Sequence, residues 1–394
     1  MRNETILCFG YAPNWEFWRQ DHEVMLLLSK NNKVVYVTKQ LGYSEHKVIK
    51  KNMGDETLKN AELEWINANL VVVSPPLRFP RGTPIPSAKI KNLYAYMSII
   101  ASKKLLKIKI KKVLNKLKLK PTVFWCYDPF DLPMAGHFGE KIKCYRVYDE
   151  VSLFPGCKPF KNAVEDMEKK YIKKIDFVFA SSRFQYEKRK SLNSNTFFIP
   201  NACNFNHFNK VLTNNLSIPE DMKAIPRPII GFVGKMDNRL DIEIIDLLSV
   251  SHPEWSIVFI GWGDKIVTDK IKMNQRSNIY ILGAKEFDVI PNYVKDIDVS
   301  IIPYILSEST KTMYPWKLHE HLAAGKSIVC TNLPEVKPFE NVIRIAKSKE
   351  EFVRYVEEEL MSNRQEKIEK IVEVARENTW ENRIREMEKI IQRK

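Results

Sequence analysis

Two pairs of charged residues carry the spacing of an anion site. In the stretch Ser307 to Asn332, SESTKTMYPWKLHEHLAAGKSIVCTN, Lys317 and Glu320 stand three positions apart. On a helix that spacing puts both side chains on one face. Pro315 suits the first turn of such a helix, whose free N–H groups and positive dipole end favour anions. A cation, a helix start and a carboxylate together match a nucleoside diphosphate followed by a ribose diol. Lys235 and Arg239, in GKMDNRLD, follow an apolar run. Basic groups in a strand-to-helix loop neutralise about two phosphate charges alongside backbone N–H groups.

Other residues could serve a hydroxyl acceptor. Two apolar runs end in acids, Asp128 in YDPFD and Asp149 with Glu150 in YDEVSLF. A carboxylate at a strand end is where a general base would take a proton from a hydroxyl, and Asp149 is the candidate. Trp15, Trp18 and Arg19, in YAPNWEFWRQ, offer aromatic faces for sugar rings and a guanidinium for anions. Each group also has a plain structural use: a solvated i,i+3 pair, tryptophans capping a sheet, aspartates capping helices.

These residues need strands and helices in alternation to hold them, and the chain provides that pattern. Short apolar runs at Thr5 to Gly10, Lys33 to Thr38, Leu70 to Ser74, Thr122 to Tyr127, Cys144 to Tyr148, Phe177 to Ser181 and Asn195 to Pro200 read as strands of a first half. Pro228 to Val233, Trp255 to Ile260, Ile279 to Leu282, Val299 to Pro303, Ser327 to Thr331 and Val342 to Ile345 read as strands of a second. Polar helical segments separate them, which predicts doubly wound α/β sheets. The polar segment Lys210 to Arg227 is the expected linker, dividing the chain into residues 1–210 and 211–379. Asn378 or Thr379 is the expected cap of a last helix, and the chain's 394 residues suit two domains.

Composition narrows the partners. Hydrophobic residues make up 44% and charged residues 28%, and no apolar run approaches the roughly 20 residues that span a bilayer. The first residues, MRNETILCFG, run straight into a strand without a signal-peptide pattern, so a cytoplasmic protein is expected. The six cysteines include no Cys-x-x-Cys and read as buried thiols; the seven histidines show no metal spacing, and no metal or other cofactor is expected. GKMDN and GWG do not make Gly-x-Gly-x-x-Gly, so a dinucleotide is not indicated.

The net charge of +15 calls for an anionic partner. Lys89 to Lys120 holds eleven lysines, and no acid occurs between Trp65 and Tyr127. Leu93, Tyr96, Met97, Ile100, Leu105, Ile108, Val113 and Leu117 approximate a helical apolar stripe, so the segment reads as one or two basic amphipathic helices. Such a helix can lie on an anionic membrane, here the inner face of the plasma membrane; the alternative is a helix packed on the sheet with solvated lysines. The lysines cluster on one helical segment without interleaved base-stacking motifs or a known nucleic-acid fold, so nucleic acid is not the expected partner.

The pattern Pro-x-Lys-Leu-x-Glu-x-Leu-Ala-Ala-Gly-Lys, Pro315 to Lys326, resembles the donor-binding signature of GT-B glycosyltransferases, especially the family 4-like enzymes of bacterial polysaccharide and glycolipid synthesis. IPNACNFNHF resembles the Ile-Pro-Asn-Gly-Val-Asp-x-x-x-Phe segment that closes their first domain, with Ala202 and Cys203 in place of Gly and Val. The resemblance implies a GT-B fold, two Rossmann-like doubly wound domains facing across a cleft, with helix 380–394 packing back on the first. It implies that Glu320 binds the ribose of a nucleoside diphosphate sugar and that Lys235 and Arg239 stand where relatives meet the diphosphate. Leu282 to Ala284 and Phe287 lie where relatives hold the base, and YDEVSLF looks like a cleft-lining segment. The family has a Glu eight positions before the ribose-binding one, holding the transferred sugar; here that residue is Thr312.

The resulting expectation is a glycosyltransferase moving a sugar from a nucleoside diphosphate sugar, held by Lys235, Arg239, Thr312, Lys317 and Glu320, to a carbohydrate or lipid-linked acceptor at Trp15, Trp18 and Arg19, with Asp149 as base. A GT-B-like nucleotide-sugar 2-epimerase and a non-catalytic sugar- or membrane-binding scaffold are the alternatives.

Overall fold

The structure is a computed structural model describing residues 1–15, 19–42, 47, 63–80, 87–154, 156–273, 276–362 and 364–393. The chain divides into two compact units, Met1–Pro200 with Ile384–Lys394, and Asn201–Arg383.

The first unit holds an eight-stranded sheet in the order β3-β4-β2-β1-β5-β6-β7-β8. Its strands are β1 (Thr5–Phe9), β2 (Lys33–Val37), β3 (Leu63–Asn67), β4 (Leu70–Val73), β5 (Val123–Cys126), β6 (Ile142–Val147), β7 (Phe177–Ala180) and β8 (Thr196–Phe198). The central strands are short runs of Val, Ile, Phe and Cys buried on both faces, as a parallel sheet covered by helices requires. All pairings are parallel except β3 with β4. Sequence reading passed over β3 because LEWIN lacks an apolar run, and on this edge Glu64 and Trp65 are exposed. Around the sheet lie α1 (Gln20–Ser29), α2 (Ala88–Leu117), α3 (Lys161–Tyr171) and α4 (Arg183–Lys190).

The lysine-rich segment is the single 30-residue helix α2, and its packed face differs from the expected stripe. Ala95, Ile99, Ser102, Leu106, Ile110, Val113 and Leu114 are buried, whereas Leu93, Met97, Leu105 and Ile108 are exposed. Counting apolar residues misread this helix because small residues, Ala95, Ser98 and Ser102, line part of the buried face. Lys103 belongs to that inner face: its ammonium meets Asp131 at 2.5 Å, both groups buried.

The second unit holds a six-stranded, all-parallel sheet in the order β11-β10-β9-β12-β13-β14. Its strands are β9 (Ile229–Val233), β10 (Ser256–Ile260), β11 (Ile279–Gly283), β12 (Val299–Ile302), β13 (Ser327–Thr331) and β14 (Arg344–Ala346). Counted within the unit this is the order 3-2-1-4-5-6 of a dinucleotide-type Rossmann sheet, which reverses between β9 and β12. Here α5 (Phe205–Thr213) runs into the segment 210–227 expected to be the linker, and that segment itself contributes α6 (Glu220–Lys223), because Met222 enters this unit's core as Phe208 of α5 does. Then follow α7 (Ile242–Ser251), α8 (Lys265–Met273), α9 (Ile290–Asp296), α10 (Lys317–Ala323), α11 (Lys349–Met361) and α12 (Arg364–Glu377). The last helix, α13 (Trp380–Ile391), ends within the first unit, where Glu388 accepts a 2.9 Å hydrogen bond from the ammonium of Met1.

Candidate functional site

The order reversal puts two loops side by side at the C-terminal ends of β9 and β12, where open α/β sheets bind ligands. The first loop is Gly234–Asp241. It is laced to the loop after β10 by Met236 N–H on Trp262 O at 2.9 Å and Asp264 N–H on Met236 O at 2.8 Å. The two glycines permit this approach. Gly261 has φ +141°, and a Cβ there would lie 2.0 Å from the Gly234 carbonyl oxygen.

The lacing fixes both cations of the loop. Lys235 Nζ lies 3.7 Å from Asp237, 3.6 Å from Asp264 and 4.7 Å above the Trp262 ring. Arg239 donates through Nε and Nη2 to the two oxygens of Asp237 at 2.7 and 2.8 Å, with its backbone N–H on the same carboxylate at 3.1 Å. Burial alone would raise the Asp237 pKa, but the Arg239 hydrogen bonds and charge outweigh it and hold the carboxyl below its usual range. Thus Arg239, expected to be open to a diphosphate, is clamped by a carboxylate two residues away. Sequence reading missed Asp237, Trp262 and Asp264, although GWGD after a strand was the available signal.

The second loop joins β12 to α10. Asp241 N–H binds Pro303 O and Ile305 N–H binds Arg239 O, both at 2.8 Å, so the two loops form one layer. Thr312 is buried in a 3-10 turn, its hydroxyl donating to Ser309 O at 2.8 Å. Lys317 and Glu320 form an ion pair of 2.8 Å, with the ammonium 4.5 Å above the Trp316 ring. The carboxylate is buried, which corrects the picture of a pair on an open helix face, and α10 has only seven residues. Burial raises the Glu320 pKa and the Lys317 charge partly offsets that. Both flanking histidines are internal. His319 shares a 2.9 Å hydrogen bond with the Tyr314 hydroxyl and His321 one of 2.9 Å with Ser300. Burial lowers each imidazole to about 3.

Near the expected base region, Phe287 stacks on His207 of α5 with ring centroids 4.2 Å apart, and His207 Nε2 lies 3.0 Å from Phe287 O. His207 was not singled out in sequence.

In the first unit the order reverses between β1 and β5. Tyr11, just past β1, is half-buried, with Arg19 at 5.2 Å and Lys39 at 4.3 Å over its ring. Burial raises the Tyr11 pKa; Asp128 and Asp149 push the same way and Arg19 opposes them, which places both carboxylates in its field. Asp149 is half-buried after β6. Asp128 caps a 3-10 turn, accepting from Phe130 N–H at 2.9 Å. Glu150 is committed elsewhere, to Arg189 at 2.7 Å and Lys188 at 3.0 Å. Trp15 packs on His22 at 4.2 Å and against the edge of Tyr36 at 5.3 Å; Trp18 lies outside the described residues. Arg19 thus stands over Tyr11, Asp149 acts on Tyr11 through its charge, and Trp15 is anchored in an aromatic cluster.

Two Rossmann-type sheets with this connectivity define the GT-B fold. The chain superimposes on solved structures over nearly its whole length. A UDP-forming α,α-trehalose-phosphate synthase from Burkholderia xenovorans, in complex with glucose-6-phosphate, matches with a TM-score of 0.72 at 11% identity over 99% of this chain and 100% of that one. A trehalose-6-phosphate protein from E. coli bound with UDP-2-fluoro glucose gives 0.70 at 11% over 98% and 99%, and Anabaena HepE in complex with UDP and glucose gives 0.63 at 11% over 98% and 99%. In sequence, residues 227–362 match the family described as Glycosyl transferases group 1, so the second unit carries that family's pattern. The protein described as a teichuronic acid biosynthesis glycosyltransferase, TuaH, of Bacillus subtilis (strain 168) is 32% identical over 110 residues, which span 27% of this chain and 27% of TuaH.

Proposed function

We propose that the protein is a glycosyltransferase that moves a sugar from a nucleoside diphosphate sugar to a hydroxyl acceptor. The observation that carries this reading is the layer of two cationic loops at the order reversal of the second sheet, inside the segment matching the glycosyltransferase group 1 family. Lys235 and Lys317, each above a tryptophan ring, supply positive charge for the diphosphate. Arg239 joins them when phosphate oxygens compete with Asp237 for its N–H groups. Glu320 accepts from the ribose hydroxyls, and no metal is invoked. Thr312 is assigned to the neighbourhood of the transferred sugar.

The acceptor belongs to the first unit, around Tyr11, Arg19 and Asp149, with Trp15 behind them. In an inverting transfer the acceptor oxygen attacks the anomeric carbon while the bond to the β-phosphate oxygen breaks. The hydroxyl proton goes to Asp149 and the nucleoside diphosphate leaves with the bonding pair. A UDP-sugar is the first donor to try, since one structural neighbour was solved with UDP-2-fluoro glucose and another with UDP and glucose. A cell-envelope polysaccharide or lipid-linked intermediate is the proposed acceptor, supported by the likeness to TuaH. Such an acceptor fits association with an anionic membrane through Lys89–Lys120, and no described helix is long and apolar enough to cross one.

The test is release of nucleoside diphosphate from a UDP-sugar, with and without an acceptor extract. Release that needs acceptor supports transfer; UDP release without acceptor, accompanied by a changed sugar, would mean an epimerase. Glu320→Gln should weaken UDP binding about 10- to 100-fold in calorimetry, since hydrogen bonds to a charged group are worth about 1.5–3 kcal/mol. Unchanged affinity would remove Glu320 from the site.

A further inference from the structure

Helix α2 has two apolar faces, and only one is used by the fold. Ala95, Ile99, Leu106 and Ile110 pack inward. At 3.6 residues per turn the opposite side carries Ile90, Leu93, Tyr94, Met97, Leu105 and Ile108, spaced by threes and fours with Ala101 between. All six are exposed, Leu93 by 61%, Met97 by 63% and Ile108 by 54%. The ridge is widened at one flank. Phe79, itself exposed, has its N–H on Ser102 Oγ at 2.9 Å, and Ser98 Oγ donates to Pro80 O at 2.6 Å, fastening that strip of chain along the helix. A continuous apolar ridge of this kind on a water-soluble surface marks a contact site.

The charges beside the ridge say what it contacts. Helical spacing puts Lys104, Lys107 and Lys111 in a row on one side and Lys109, Lys112 and Lys116 in a row on the other. No acid occurs between Trp65 and Tyr127 to neutralise them within the helix. A protein partner's apolar groove would need a matching acidic rim on both sides. An anionic bilayer offers both properties at any orientation about its normal: phosphates at the level of the lysines and acyl chains below.

We propose that the outward face of α2 docks flat on an anionic membrane, with the Ile90–Ile108 ridge entering the acyl-chain boundary and the two lysine rows at the phosphate level. This refines the membrane part of the reading above and does not depend on sugar transfer. It also changes which residues matter. Lys103 takes no part, being paired with Asp131 on the inner face, and apolar contact adds to charge.

The experiment is co-sedimentation of the whole protein with phosphatidylcholine vesicles, pure or mixed with phosphatidylglycerol, at low and high salt. Wild type should bind the mixed vesicles at low salt and not the pure ones. The uncharged variant L93Q/M97Q/I108Q keeps every lysine and alters only exposed positions, so it should stay folded by circular dichroism yet bind at least about tenfold more weakly. K104Q/K107Q/K111Q should fall by at least about the same factor. A fluorophore on M97C should shift to the blue with mixed vesicles, while one on K265C, in the second unit, should not. Equal binding by wild type and the L93Q/M97Q/I108Q variant would overturn the proposal, as would no binding of wild type at low salt. Self-association that this variant abolishes, with no vesicle binding, would assign the ridge to a second copy of the chain instead. UDP titration of the same variants keeps the outcomes separate, because nucleotide binding should be unaffected whichever way the vesicles decide.

Discussion

In the second unit two cations of the candidate site find their partners almost next door: Arg239 binds Asp237 and Lys317 binds Glu320. In the first, the carboxylate that follows Asp149 reaches across the sheet. Glu150 pairs with Arg189, 39 residues away, and Arg189 grips both oxygens of Glu168 at 3.0 Å while Glu168 also accepts from the Tyr145 hydroxyl. Arg189, Glu150 and Glu168 are all buried. The difference separates two uses of charge. Short-range pairs at a loop layer are cheap to rearrange, so a ligand can take over one partner. The long-range network joins β6, α3 and α4, and removing any member leaves charge stranded in the core.

The sharpest way to break this comparison is Arg189→Met. It leaves Glu150 and Glu168 buried without their guanidinium, and the loss should be about 3–5 kcal/mol. Hydrogen exchange in denaturant should show peptides of β6, α3 and α4 opening first, while peptides of β9 and β12 keep their protection. A loss below about 1 kcal/mol would mean that the network is dispensable and that the two units do not differ in this way.

Acid tests the units from the other side. His319 and His321 in the second, and His22 in the first, are held neutral by burial, at about 3, 3 and 4. Each takes up a proton in the unfolded chain near the ordinary histidine value of about 6.5 but resists it when folded, so stability falls as pH drops below 6.5. Carboxylates with lowered pKa, such as Glu150 and Asp237, add their own losses only below about pH 4.5. Glu320 runs the opposite way, since its raised pKa makes acid favour the folded state. Between pH 6.5 and 5 the expected loss is about 2 kcal/mol for each of these three histidines, and His207 in the second unit and His137 in the first, lowered less, add smaller losses, so the second unit should soften more steeply than the first. Hydrogen exchange resolved by peptide at a series of pH values measures both slopes; equal slopes would show that the histidines are not the groups titrating.

The same contrast explains what could be read from the chain. The short-range features were visible. The Val- and Ile-rich strands, the reversal-point loops with Lys235 and Lys317, and the GT-B resemblance all rest on neighbours in sequence, and the fold agrees with them. What escaped needed distant partners. Arg189 looks like one more cation of a basic helix until Glu150 and Glu168 come from other elements, and Lys103 looks like one more membrane lysine until Asp131 meets it. The buried face of α2 was hidden because Ser98 and Ser102 lie on it, their hydroxyls bonding Pro80 O and Ser98 O. The helix α6 inside the expected linker was hidden for a related reason: Met222 is an isolated apolar residue among polar ones, and only the completed core shows its use.

The smallest effect is the most exacting check of the loop layer. Lys235 is 44% exposed and shares its charge between Asp237 and Asp264. If these contacts hold the ammonium in reserve for a phosphate, Lys235→Ala should weaken UDP about fivefold, the roughly 1 kcal/mol that a screened, half-exposed ion pair is worth. Uridine without phosphates should bind both forms alike, and added salt should shrink the difference for UDP because the interaction is Coulombic. The counterpart Lys317→Ala should lose more, since it also leaves the buried Glu320 without its cation, and that loss should extend to uridine through the disturbed ribose contact. Calorimetry of the two ligands against the two variants gives four comparisons. If Lys235→Ala weakens uridine as much as UDP, then the lysine braces the loop through Trp262 and its carboxylates, and the phosphate charge must be met by Arg239 released from Asp237.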